Sequence, residues 1–231
     1  MFKGPGNSGA FLLSISKINT ELKSGKGCSF LMQLFSPSTL IVFFSWLAYG
    51  LLHSLIASTI IKNNLRPRIE PEGINYRLLY VIIAVLSPIP IVWFQLNSES
   101  PPVWENYREI RLFGGFMAGI GLALLRQAFS VYDTSLFLGL SRAEENSESF
   151  KTSGLLQYVR HPLYTATLMI FWGWFLFSNS YHNLAFCLAN TLYILLGIQW
   201  EEKKLIRQFG EEYLEYRKKT PMLFPKKFNF S

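Results

Sequence analysis

The chain has 231 residues, of which 50% are apolar and 16% aromatic, and it carries a net charge of +7. That composition excludes an ordinary soluble domain, because the apolar residues gather into stretches of about 20, the length a helix needs to cross a hydrocarbon core of ~30 Å. The basic residues are divided among the segments between those stretches, so the positive charge does not mark a nucleic-acid-binding module, and no nucleic acid is expected as a partner.

Residues 1–37 are rich in Gly, Ser and Lys and read as a polar N-terminal segment without set structure; they lack the arginines and cleavage pattern of a transit peptide. Residues 38–231 read as one multi-helix unit. The first span is expected at 38–61 and contains His53 and Ser54. A histidine within a membrane span is either functional or hydrogen-bonded to a neighbouring helix. The second span, 77–96, includes Pro88 and Pro90, which must kink or locally unwind it. The third, 110–129, carries Gly114, Gly115, Gly119 and Gly121, small residues that let helix backbones approach, and Arg126 and Gln127 end it at the interface.

A polar loop over 141–153 precedes the fourth span, 163–179, which joins the fifth, 181–199, through so few residues that the two must form a tight antiparallel hairpin. The fold class is therefore an all-α integral membrane protein of about five transmembrane helices, partnered by the lipid bilayer. With five spans, one side holds 15 Lys and Arg and the other six, and the positive-inside rule places the C-terminus in the cytosol. Cys28 and Cys187 have neither metal-ligand spacing nor a disulfide framework, and no metal is expected.

The distinctive residues lie at the two ends of that hairpin. Gln157-Tyr158-Val159-Arg160-His161-Pro162-Leu163-Tyr164 falls where the polar loop becomes the fourth span. Pro162 suits a first helical position, and the positive dipole end of such a helix attracts an anion. As the fifth span ends, Trp200-Glu201-Glu202 opens a charged stretch to Tyr216. Helical spacing puts Glu202, Leu205, Phe209 and Tyr213 or Tyr216 on one face, so this stretch reads as a C-terminal amphipathic helix on the cytosolic membrane surface.

Arg160-His161-Pro162-x-Tyr164, a hydrophobic hairpin, Glu201-Glu202-x-x-Leu205, Phe209-Gly210-x-x-Tyr213-x-x-Tyr216 and a terminal Pro221 to Pro225 together resemble the isoprenylcysteine carboxyl methyltransferase and phospholipid methyltransferase superfamily. The resemblance covers about residues 150–225. It implies S-adenosyl-L-methionine as cofactor and a lipophilic or thiol- or carboxylate-bearing small molecule as methyl acceptor. It implies further that Tyr158, His161, Pro162, Tyr164, Glu201 and Glu202 bind the cofactor, and that Arg160 and Glu202 act in catalysis, Arg160 by holding the cofactor carboxylate or orienting the acceptor. The C-terminal segment would close over the pocket.

Two positions depart from the family pattern. Ala166 stands where a glycine is often found, and Gly197-Ile198-Gln199-Trp200 lacks the arginine expected before the paired glutamates of the prenylcysteine enzymes, which weakens the case for a carboxylate acceptor. Two other readings compete. Membrane sterol-type reductases share this C-terminal architecture and use NADPH, but the chain has no dinucleotide glycine fingerprint. Non-catalytic NnrU-like proteins resemble the N-terminal half, through His53-Ser54 and Tyr76-Arg77-x-x-Tyr80.

Overall fold

The computed structural model describes residues 26–70, 75–129 and 152–225, and every regular element among them is helical. The first helix, α1 (Lys26–Leu34), falls inside the segment expected to lack structure. Its apolar run from Phe30 to Met32 explains the difference: Phe30 packs its ring 5.6 Å from that of Tyr181. Residues 1–25 and most of the polar loop at 141–153 lie outside the described residues.

Helix α2 (Pro37–Ala57) starts with proline in its first turn behind Ser36, whose hydroxyl accepts the Thr39 N–H. It stops short of the expected 61 because Ser58 turns extended and caps α3 (Thr59–Ile69), accepting from the Ile61 N–H. The expected proline break is present: α4 (Tyr76–Leu86) gives way at Ser87 and Pro88 to α5 (Ile89–Asn97). Helix α6 (Arg108–Phe129) follows, and after a 3-10 turn (Gly154–Gln157) come α7 (Pro162–Phe177) and α8 (Tyr181–Phe209). Between α7 and α8 the Ser180 hydroxyl accepts the Asn183 N–H and so starts α8.

Among the described residues four helical stretches are long and apolar enough to cross a membrane, namely α2, α4 with α5, α6 and α8, and the chain is an integral membrane protein. The sixteen residues of α7 are apolar but rise only about 24 Å, less than the ~30 Å of a hydrocarbon core, so of the five expected spans four reach full length and the remaining one is a short helix antiparallel to α6. The charged C-terminal stretch also differs from expectation. It is no separate surface helix at first, because α8 runs on without a break through Glu201 and Glu202 to Phe209. The chain bends only at Gly210, whose φ of 55° favours glycine, into α9 (Glu211–Lys219).

Contacts between helices fix their directions. Trp46 Nε1 donates to Gln95 Oε1 at 2.8 Å, Gln95 Nε2 donates to Asn183 Oδ1 at 2.8 Å, and the Ser54 and Tyr193 hydroxyls lie 2.9 Å apart. Thus α2 and α8 run parallel, with α4 and α5 antiparallel to them. Helices α6 and α7 pack antiparallel and very close: a Cβ added at Gly114 would lie 2.7 Å from the Gly173 carbonyl oxygen, and one at Gly121 would lie 2.9 Å from that of Ala166. Gly119 has nothing within 4 Å, so the glycine contact uses only part of the set the sequence offered. One end of the bundle therefore gathers the starts of α7 and α4, the end of α8, and α9. A core of Val42, Trp46, Phe175, Phe186 and Cys187 fills the middle, and a second of Leu168, Ile194, Ile198 and Leu223 lies beneath that end.

Candidate active site

The hairpin brings Arg160 and His161, at the entry to α7, against Glu201 and Glu202 near the end of α8. Pro162 holds the first turn of α7, and His161 stands at its N-cap with no side-chain hydrogen bond to that turn. The span expected over 181–199 is followed at once by the charges Glu201 to Lys204, so these glutamates sit beyond the apolar part of α8.

Glu202 is the hub. Its Oε1 accepts from Arg160 Nε at 2.8 Å and lies 2.6 Å from Arg160 Nη2 and 3.2 Å from His161 Nε2. Its Oε2 faces Arg217 Nε at 3.3 Å. The residue is 6% exposed, so these cations work against a low dielectric. Burial pushes its carboxyl up, but the hydrogen bonds from Arg160 and His161 and the Arg160 and Arg217 charges outweigh that and hold it below the ordinary carboxylate value. Glu201, the next residue, turns about 100° away on the helix and keeps a side chain 43% exposed, with Oε2 at 3.8 Å from His161 Nδ1. His161 thus stands between a buried carboxylate and an open one.

The C-terminal segment straps this junction in place. Arg160 Nη1 donates to the Thr220 carbonyl at 2.5 Å and the Arg217 carbonyl at 3.2 Å, and the Arg160 and His161 N–H groups donate to the carbonyls of Pro221 and Met222. Thr165 Oγ1 donates to the Leu223 carbonyl at 2.8 Å, and Tyr216 donates to the Leu156 carbonyl at 2.6 Å. Tyr213 is almost wholly buried; burial first, and then the Glu202 charge, push its phenol up to about 12. Arg217 and Thr165 were not singled out in the sequence. Arg217 had one readable sign, since it follows Tyr213 by four residues and so shares its helical face.

Of the residues expected from the sequence, Arg160, His161, Glu201 and Glu202 are brought together. Tyr164 lies one turn along α7 with its ring 5.7 Å from that of His161. Tyr158 ends the 3-10 turn and is 41% exposed at the rim, and Trp200, beside Glu201, is 53% exposed. Arg160 has its guanidinium committed to Glu202 and to the strap carbonyls, which suits a positioning residue better than a direct ligand for an acceptor. Among the described residues no cluster of three or more His, Cys, Asp or Glu is placed to hold a metal ion.

Comparison with known proteins gives a consistent picture. The phospholipid methyltransferase family profile matches residues 110–212, which run from α6 through the paired glutamates into α9. The chain is 33% identical over 214 residues to the methanethiol S-methyltransferase of Pseudomonas deceptionensis, covering 88% of this chain and 77% of that protein. It is 32% identical over 159 residues to methanethiol S-methyltransferase 2 of Bradyrhizobium diazoefficiens, covering 66% of this chain and 60% of that one, so the match spans under two thirds of the latter's length. With the human protein-S-isoprenylcysteine O-methyltransferase it shares 26% identity over 217 residues, 85% of this chain and 72% of the human protein. No solved structure matches.

Proposed function

Since this chain belongs to the isoprenylcysteine carboxyl methyltransferase and phospholipid methyltransferase superfamily, we propose that it transfers a methyl group from S-adenosyl-L-methionine to a small thiol at the membrane. The observation that carries this reading is the pair of adjacent glutamates with opposite exposure, one buried as an anchor and one open beside His161. The donor set fits the cofactor's groups. An open carboxylate at Glu201 suits an ammonium or a ribose diol, the N-terminal turn of α7 suits a carboxylate, and the rings of Tyr158, Tyr164 and Trp200 suit a sulfonium.

When bound, the cofactor supplies an electrophilic methyl group, and the protein's part is alignment and exclusion of water. Glu201 would bind directly, and His161 would orient it while contributing its own ring. Glu202 and Arg160 would set the His161 ring and fasten the C-terminal strap, acting through their neighbours. A thiol acceptor agrees with the names of the methanethiol enzymes and with the uncharged sequence Gly197 to Trp200, where a carboxylate acceptor would want an arginine.

The test is calorimetric binding of S-adenosylmethionine, and separately of NADPH, to detergent-purified protein. Saturable binding of the former is expected, weakened about tenfold, or ~1.4 kcal/mol, by Glu201→Gln, and weakened also by His161→Ala in a protein that stays folded. Binding of NADPH alone would move the chain to a reductase reading. Normal S-adenosylmethionine binding by both variants would refute the site assignment and leave the family membership standing.

A further inference from the structure

The mouth between α7 and α8 holds two arginines that are used differently. Arg160 is nearly buried, with a side chain 9% exposed, and every nitrogen of its guanidinium is occupied: Nε and Nη2 by Glu202, and Nη1 by the Thr220 and Arg217 carbonyls. Arg217, in the last turn of α9, keeps a side chain 48% exposed and turns only Nε toward Glu202, at 3.3 Å. Among the described residues its two terminal nitrogens meet no acceptor, so a planar fork of donors stands open at the mouth. Its backbone is pinned, because its carbonyl takes one of the Arg160 bonds. The other cations close by in sequence are paired or turned away. Lys218 Nζ meets Glu215 at 2.6 Å. Lys203 and Lys204 follow Glu202 by about 100° and 200° around α8, and Lys219 follows Arg217 by about 200° around α9.

Resting on the methyl-transfer reading, we propose that Arg217 recognises the carboxylate at the amino-acid end of the cofactor, with Glu201 taking the ammonium of the same end. The charges at the mouth leave that pattern open. Arg160 and Glu202 offset one another as a buried pair, so one exposed carboxylate, Glu201, and one exposed guanidinium, Arg217, remain for a ligand. Both border one small cluster: Glu201 Oε2 lies 3.8 Å from His161 Nδ1, His161 Nε2 lies 3.2 Å from Glu202 Oε1, and Arg217 Nε lies 3.3 Å from the other Glu202 oxygen. An anion and a cation flanking one cluster suit a zwitterion, which either charge alone would leave half paired. The first turn of α7 does not meet a carboxylate fully by itself. Pro162 has no N–H, and the Arg160 and His161 N–H groups are already given to the carbonyls of Pro221 and Met222. What the helix end retains is the N–H groups of Leu163 and Tyr164 and a partial charge of roughly +0.5. Arg217 adds a full charge and a bidentate geometry, and because it belongs to the strap, its contact would tie the strap to the ligand.

The experiment titrates the detergent-purified full chain, in a calorimeter, with S-adenosylmethionine and with its decarboxylated counterpart, which has hydrogen in place of the carboxylate and keeps the ammonium, the sulfonium and the nucleoside. The wild type is expected to bind the decarboxylated compound about tenfold more weakly. Arg217→Gln should weaken S-adenosylmethionine binding about tenfold and leave the decarboxylated compound within about twofold of wild type, because a ligand without the carboxylate has no contact with Arg217 to lose. Arg217→Lys should recover part of the loss, since it keeps the charge without the fork. Equal weakening of both compounds in Arg217→Gln would overturn the proposal, because a residue that acts only by holding Glu202 or the strap is felt by either ligand. Unchanged S-adenosylmethionine binding in that variant, or equal binding of the two compounds by the wild type, would overturn it as well. Failure of the wild type to bind either compound would instead sink the methyl-transfer reading on which it rests.

Discussion

At the scale of single residues, Glu202 shows how one carboxylate can organise a site without being open to a ligand. Arg160, His161 and Arg217 all converge on it, and the first and last of these bring the strap with them. Its carboxyl titrates below its ordinary value of 4.5, so the sign of the linkage is that of a depressed acid. The stabilisation is fully present above about 4.5 and is lost as pH falls through the lower folded-state value. The thermal midpoint of the purified protein should therefore drop on acidification below 4.5, and Glu202→Gln should lower the midpoint at neutral pH and flatten that acid dependence. Removing one partner of a buried ion pair costs about 3 kcal/mol, so the neutral-pH effect should be plain in a melting curve. An unchanged midpoint in Glu202→Gln would show that the strap is held without this charge. The sequence brought forward both glutamates but could not divide their roles. Adjacent helical residues point about 100° apart, and which one faces inward is decided by the packing of α8 on α7, not by the pair itself.

At the scale of elements, the α6–α7 contact depends on absent side chains. Gly114 and Gly173 face each other so closely that a Cβ on Gly173 would lie 2.6 Å from the Ala118 backbone nitrogen. Backbone cannot move aside as a flexible side chain can, so Gly173→Ala and Gly114→Ala should each destabilise by about 1–3 kcal/mol through overpacking. Gly119→Ala is the control. With nothing within 4 Å it should be neutral or slightly stabilising, because alanine is the better helix former. Thermal unfolding of the three variants in one detergent decides the matter, and equal effects at all three positions would mean that helix propensity, not close approach, governs. Four glycines in one apolar helix announced close packing from the sequence alone, but their individual contacts depend on the partner helix. The break at Gly210 was hidden for a related reason: residues 200–216 keep a helical pattern straight through it, and only the positive φ reveals the bend.

At the scale of the whole molecule, the helix directions put α1 and the C-terminal segment at opposite ends of the bundle. Phe30 of α1 packs on Tyr181 at the start of α8, whereas the strap lies against Glu202 near its end. The apolar stretches were legible in the sequence, since hydrocarbon thickness imposes them, and so was the shortness of α7, expected over 163–179 and found as Pro162–Phe177 with proline in its first turn. The charge bias of the sequence predicts that the basic side, and with it the mouth between α7 and α8, faces the cytosol. Thiol labelling can read this directly, because Cys28 is exposed on α1 and Cys187 is fully buried. In intact cells a membrane-impermeant maleimide should label Cys28, while in a Cys28→Ser background a Ser231→Cys variant should label only after the membrane is permeabilised. The reverse pattern would turn the mouth away from the cytosol and separate the open glutamate from a soluble cofactor supplied there. Labelling of both positions from the same side would contradict the parallel course of α2 and α8 on which the placement of the site depends.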